Sequence, residues 1–287
     1  MAKDHTAIEW THRPGTIGET WNPTSGCDQI SPGCDNCYAL TMSKRLKAMG
    51  QAKYQNDGDP RTSGPGFGLT AHPDALADPL KWRTPRTVFV NSMSDLFHAR
   101  VPREFLARVW ATMAATPQHQ YLILTKRPER MARIVGDNLD GGQALIEAAP
   151  DEATAQTLYD AAWPLPNVEL GTSIELDAYV RRADALRNTA AAVRFLSLEP
   201  LLGPLPSLNL TGIDQIIIGG ESGPGSRPMD LGWVRGLIAM ARDSGTAVFV
   251  KQLGTVWAGT GKGGDWSTWP EDLRIREYPA DRRAVAA

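Results

Sequence analysis

The sequence predicts an α/β fold with parallel strands, on three observations. Short apolar, β-branched runs recur six times from residue 87 onward. Helix-compatible runs separate most of them, which calls for right-handed crossovers between parallel strands. Each apolar run also stops abruptly in polar residues, the pattern of strands whose C-terminal ends open on a site.

Residues 1–20 are polar apart from a Trp10 anchor and read as an extended N-terminal arm packed beside the loop of residues 27–37, with little chemistry of its own. A short first strand is expected before Cys27, and 38–49 is a helix-like run. Residues 51–79 are rich in Gly and Pro without clear periodicity. Structureless passages of that length are uncommon in compact domains, so this stretch reads as a functional loop or lid, or else as a disordered insertion. Strands are then predicted at 87–90, 121–124, 168–171, 193–196, 215–218 and 247–250. Helices are predicted at 103–115, 177–188 and 231–243, with an inserted helix somewhere in 129–162. The total is six or seven βα units within one domain, 1–287. A partial or complete (βα) barrel and a doubly wound sheet share this local pattern. The extension 255–287 places Trp257, Trp266 and Trp269 among glycines, to close a barrel base or form a flap.

A chain of 287 residues with a 42% hydrophobic share can bury a substantial core. Its 30 basic and 32 acidic residues give a net charge of −2, which excludes a surface coated in positive charge for indiscriminate duplex binding but leaves room for a local basic groove. No apolar run approaches the roughly 20 residues of a membrane helix. The polar start lacks a signal-peptide core, so a soluble, cytoplasmic protein is expected, in a compartment that keeps thiols reduced.

All three cysteines fall in one stretch, Cys27, Cys34 and Cys37, spaced C-x6-C-x2-C. Gly26, Pro32 and Gly33 bend the intervening chain so that three sulfurs can converge. Three thiolates are one short of the four that saturate an ordinary iron–sulfur cluster or structural zinc. A cubane held by three leaves one iron open to a small-molecule ligand. The alternative is a zinc-stabilised nucleic-acid- or protein-binding module without catalysis, its fourth ligand drawn from His5, His12, His72, His98, His119 or a carboxylate. None of these histidines has the tight spacing of a zinc motif.

The cysteine stretch resembles that of the radical S-adenosylmethionine superfamily, whose usual spacing is C-x3-C-x2-C. The chain is also similar to a phage- and prophage-associated three-cysteine group of uncharacterised proteins, through Ile8-Glu9-Trp10-Thr11, Trp21 to Ala39, Ser197 to Leu201 and Gly219 to Gly223. The first spacer departs from the superfamily, with six residues in place of three. The resemblance favours a partial (βα) barrel over the doubly wound sheet. It implies a 4Fe-4S cluster on Cys27, Cys34 and Cys37, S-adenosylmethionine on the open iron, an external electron donor, and a 5′-deoxyadenosyl radical that abstracts hydrogen from a substrate. A nucleobase or nucleic-acid substrate, in modification or repair, fits the group's phage association.

In a barrel the polar strand ends would face one mouth. Ser92, Ser94 and Asp95 stand where the superfamily meets the amino group of S-adenosylmethionine, although its Gly-Gly-Glu is absent there. Gly219-Gly220-Glu221 looks like that motif several strands late: its glycines allow close approach to adenine or substrate, or serve a tight turn. Lys126, Lys251 and Arg227 are candidate partners for a carboxylate or phosphate, or ordinary surface ion pairs. Ser173, Glu175 and Glu199 would flank the ligand, and Tyr38 would cover the cluster. The basic runs 44–47, 81–86 and 126–130 suit a nucleotide groove, or are solvated helix faces.

Overall fold

The computed structural model describes residues 5–137 and 140–279. Seven parallel strands lie side by side in chain order: β1 Ile17–Trp21, β2 Arg86–Val90, β3 Gln120–Thr125, β4 Val168–Ser173, β5 Val193–Leu198, β6 Gln215–Gly219 and β7 Ala247–Gln252. A doubly wound sheet reverses its strand order at a switch point. This one never does, and the curled sheet with flanking helices is a half-barrel.

The crossovers carry α1 Tyr38–Ala48, α2 Arg103–Ala114, α3 Pro128–Val135, α4 Gln143–Glu147, α5 Glu152–Tyr159, α6 Arg181–Arg187 and α7 Leu231–Ser244; α8 Thr255–Ala258 follows the last strand. Period-2 alternation sorts the strand residues between two cores. Val88, Tyr121, Ile123, Leu170, Leu196, Ile216 and Val248 face the helices, where α2 contributes Phe105, Leu106, Val109, Trp110 and Met113 at helical spacing. α7 begins at Asp230, whose side chain accepts from Gly232 N at 2.6 Å, and ends at Gly245 in the left-handed region.

Inside the half-barrel, Leu122, Phe195, Ile217 and Phe249 surround Trp10. The Trp10 ring lies 4.7 Å from Phe89 and 5.6 Å from Phe195, centroid to centroid. This corrects the expectation for 1–20: the stretch supplies most of β1 and the central plug of the barrel, while residues 1–4 lie outside the described set. Below the plug, Arg13 Nη2 donates to Glu169 Oε2 at 2.8 Å, and Gln120 also bonds that carboxylate.

β1 and β7 are the two edges of the sheet, and the open seam between them is closed by segments near the chain ends. His5 N donates to Gly18 O on the β1 edge; Val250 N donates to Ile275 O, and Glu277 N to Val248 O, on the β7 edge. The two ends meet where Tyr278 donates to His12 O and Lys262 pairs with Glu9. The C-terminal extension therefore covers the β7 edge, with Trp269 and Leu273 buried in the outer core; residues 280–287 lie outside the described set. Residues 51–79 are ordered short turns, and Thr70–Ala71 pairs antiparallel with Thr24–Ser25. The interval 129–162 contains most of α3 and all of α4 and α5, where one inserted helix was expected. No helix among the described residues is long and apolar enough to cross a membrane.

Candidate functional site

The C-terminal strand ends open on a cavity of about 290 Å³. Trp10, Phe89 and Leu124 line its interior, the cysteine loop forms one wall, and the ends of β4 and β7 with the segments at and after the ends of β2, β3, β5 and β6 form the rest. Cys27, Cys34 and Cys37 all face this space, unpaired and half-buried.

The loop bearing them is fastened to four strand ends. After β3, Arg127 Nη1 lies 3.4 Å from Cys27 Sγ and donates to Asp95 Oδ2 at 2.8 Å, while its Nη2 donates to Asp28 O at 3.1 Å. After β2, His98 Nδ1 accepts from Arg100 N at 3.2 Å, which leaves Nε2–H to donate to Asp28 Oδ2 at 2.8 Å. Thr62 and Ser63, from the 51–79 loop, donate to the other Asp28 oxygen. After β4, Glu175 Oε1 accepts from Gly33 N at 3.4 Å and Oε2 from Arg182 at 2.9 Å. After β6, Glu221 accepts from Asn36 at 3.0 Å and from Arg227 through both oxygens, and Arg227 Nη2 also donates to Pro32 O at 2.8 Å.

Gly26 shows why the loop enters as it does. At φ +85° it occupies the left-handed region, and a Cβ there would sit 2.3 Å from Gly68 O. Only glycine lets the chain pass between the 51–79 loop and the extension of β2, where Gly26 N donates to Met93 O at 3.0 Å.

Burial dominates the thiol electrostatics. It pushes Cys27 up to about 12, with Asp95 acting in the same direction and Arg127 against it. Burial likewise raises Cys37, opposed by the Ala39 amide at the start of α1 and by the Lys126 charge. Cys34 adds like charge to both neighbours, so the three thiols share one electrostatic environment. Among the described residues, no three His, Cys, Asp or Glu side chains are gathered tightly enough to grip one metal ion. A tetrahedral zinc would need its sulfurs roughly 3.8 Å apart, from Zn–S bonds of about 2.3 Å. What the site offers a metal centre is its donor set, three soft thiols unpaired by disulfides on one cavity wall.

The remaining candidates divide by what their side chains already do. Asp95 accepts from Thr125, the Lys126 amide, the Phe97 amide and Arg127. Ser94 bonds Thr24, and Ser92 bonds Asn22. Tyr38 donates its hydroxyl to Ser92 O, tying the start of α1 to the end of β2 with its ring half-exposed; burial of that hydroxyl raises its pKa. Glu199 and Lys251 form a two-pronged pair at 2.8 Å on the cavity wall. Gly219 does not line the cavity: a Cβ on it would lie 2.9 Å from the Glu199 carboxyl carbon, so its role is to let that pair span β6. Gly220 does line it, with its own Cβ position 2.5 Å from Leu253 O. Glu175 is also off the cavity, wholly buried beneath Gly33.

Lys126, Ser173 and Ser197 face the cavity with no side-chain partner among the described residues; Ser173 and Ser197 are register neighbours on β4 and β5. Asp28 was not singled out from the sequence, Arg127 and Ser197 were noted only as members of the basic run 126–130 and of a polar strand end, and His98 only as a zinc ligand. Their signal was position: Arg127 and Ser197 sit within or just beyond strand ends, His98 lies in the segment that follows β2, and Asp28 follows Cys27.

A family model described as "Protein of unknown function (DUF5131)" matches residues 5–271. No curated protein and no solved structure matches the chain.

Proposed function

Because the chain belongs to that DUF5131 family of unknown function, membership assigns no activity, and we propose from the site geometry a radical S-adenosylmethionine enzyme with Cys27, Cys34 and Cys37 as ligands of a 4Fe-4S cluster. The observation that carries this reading is the convergence of all three thiols and six strand ends on one cavity inside a half-barrel. What the cluster and S-adenosylmethionine supply when bound, with an electron from an external donor, is a 5′-deoxyadenosyl radical able to abstract hydrogen.

The chain's own residues hold and orient. Arg127, Glu175, Glu221 and Arg227 fix the cysteine loop, and the Trp10–Phe89 plug keeps bulk water out of the barrel below the site. Lys126 is positioned to meet a ligand carboxylate or phosphate, because its ammonium has no carboxylate of its own. Ser173 and Ser197 offer free hydroxyls to ribose or substrate. Glu199, held by Lys251, presents acceptor lone pairs on the cavity wall. Ser92, Ser94 and Asp95, expected to take the ammonium, are already bonded within the protein and act as supports for the cysteine loop. A nucleobase or nucleic-acid substrate and a reducing cytoplasmic setting complete the proposal.

Anaerobic reconstitution with iron and sulfide tests it. The expected result is about four irons per chain, charge-transfer absorbance lost in Cys34→Ala, and 5′-deoxyadenosine released on adding S-adenosylmethionine with a strong reductant. Stoichiometric zinc without cleavage overturns it.

A further inference from the structure

Arginines gather on the surface beside the cavity, between the loop leading into α2 and the face of α3. Arg130 Nη2 donates to Val101 O at 2.8 Å, which brings α3 against the start of α2 and sets Arg130 near Arg103. Arg133 follows one helical turn later on the same face. Arg103 and Arg133 are exposed and make no ion pair among the described residues. Glu104 and Glu129 are exposed nearby, yet neither pairs with any of these arginines. The positive field is strong enough to register on Arg130, whose pKa falls below its usual value through burial first and then through Arg103, Arg133 and Arg127. Arg127 acts on Arg130 and, paired with Asp95, also lines the cavity, which links the patch to the site, where Lys126 is the next cation.

We propose that Arg103, Arg130 and Arg133 bind the phosphodiester backbone of a single-stranded nucleic acid and lead it over Arg127 to the cavity mouth.

Three features select this ligand. Every cation in the patch outside the cavity is arginine, and the planar guanidinium fork matches phosphate oxygens in a way a lysine ammonium does not. The cations are spread over the start of α2 and one face of α3, which suits a repeating anion better than a single one. The cavity of about 290 Å³ is of a size for a single unstacked base and not for a duplex. The chain's overall charge of −2 means that such binding has to come from a local basic patch. The inference rests on the proposed enzyme only for what happens to a base once it reaches the cavity; the binding itself needs no cofactor.

The experiment is fluorescence anisotropy on the purified protein without added cofactor, using a labelled single-stranded oligonucleotide of roughly 20 nucleotides, long enough to cover a groove of this kind. Binding should weaken linearly in log affinity against log salt. The double variant Arg103→Gln, Arg133→Gln removes two exposed, unpaired side chains without disturbing a contact. Its salt slope should be shallower by about 1.4, from about 0.7 per lost phosphate contact, with circular dichroism unchanged. No salt-dependent binding, or an unchanged slope in the variant, overturns the proposal. Equal affinity for the matching duplex overturns the single-strand assignment, and equal competition by polyglutamate shows an acidic-protein site instead. These results stand whether or not the iron reconstitution succeeds.

Discussion

Arg127 Nη1 lies 3.4 Å from Cys27 Sγ, and the same nitrogen donates to Asp95 Oδ2 at 2.8 Å. One guanidinium thus joins the first cysteine to the end of β2 from its own place after β3. Arg127→Ala should cost about 2–4 kcal/mol, somewhat below stripping one partner from a wholly buried pair because both side chains keep a little solvent access. Urea unfolding checks the stability loss. Faster alkylation of Cys27 in the folded variant checks that the loop has been released.

Gly26→Ala should destabilise by about 2–4 kcal/mol, from left-handed backbone strain and a clash with Gly68 O that no side-chain rotation relieves. The measurement is again the urea midpoint, and an unchanged midpoint would show that the 51–79 loop moves aside freely.

At Gly219 the expected obstacle is a side chain, so a background substitution tests it. Gly219→Ala should cost about 1–3 kcal/mol in the native chain. The cost should shrink when Glu199 is also replaced by Ala, because the added Cβ meets the Glu199 carboxyl. A double-mutant cycle reads the coupling; additive costs would remove Glu199 as the obstacle.

Acid should loosen the cysteine loop in stages. Burial lowers the His98 pKa, more than its bond to Asp28 raises it. An unfolded chain therefore binds His98's proton first, and this contribution to stability fades as pH falls below about 6.5. Asp28 and Glu221 feel burial as the largest effect, upward, but their hydrogen bonds together outweigh it and hold both below the usual carboxylate range. Their stabilisation is complete above the unfolded carboxylate value and is lost as pH falls through the lowered folded one. Stability measured from pH 7 to pH 3 should fall less steeply in Glu221→Gln than in the parent below about pH 4.5, and parallel curves would show that Glu221 does not anchor the loop.

Cys34→Ala should change unfolding free energy by less than about 1 kcal/mol, because the thiol is half-buried and makes one long contact, 4.0 Å to Ser31 Oγ. A large loss, seen by urea unfolding, would assign the thiol a structural role.

The strand architecture was legible in the sequence because strands buried on both faces are written as mainly apolar, β-branched runs, and each of the six runs from residue 87 became a strand. The cysteine spacing, the α1 helix and the polar strand ends were legible for the same reason: they are local signals. The chain order of the strands is a long-range matter that local pattern does not encode, and it decided between a barrel and a doubly wound sheet. Tertiary structure also decided which polar groups are spoken for. Asp95, Glu175 and Glu221 looked like ligand carboxylates from their places after strands, yet each sits within reach of an arginine from another part of the chain or turn, and burial makes that pairing obligatory. Trp10 looked like the anchor of a polar arm packed beside the cysteine loop, because nothing in its neighbours shows that six strands further along would leave a barrel interior for it to fill.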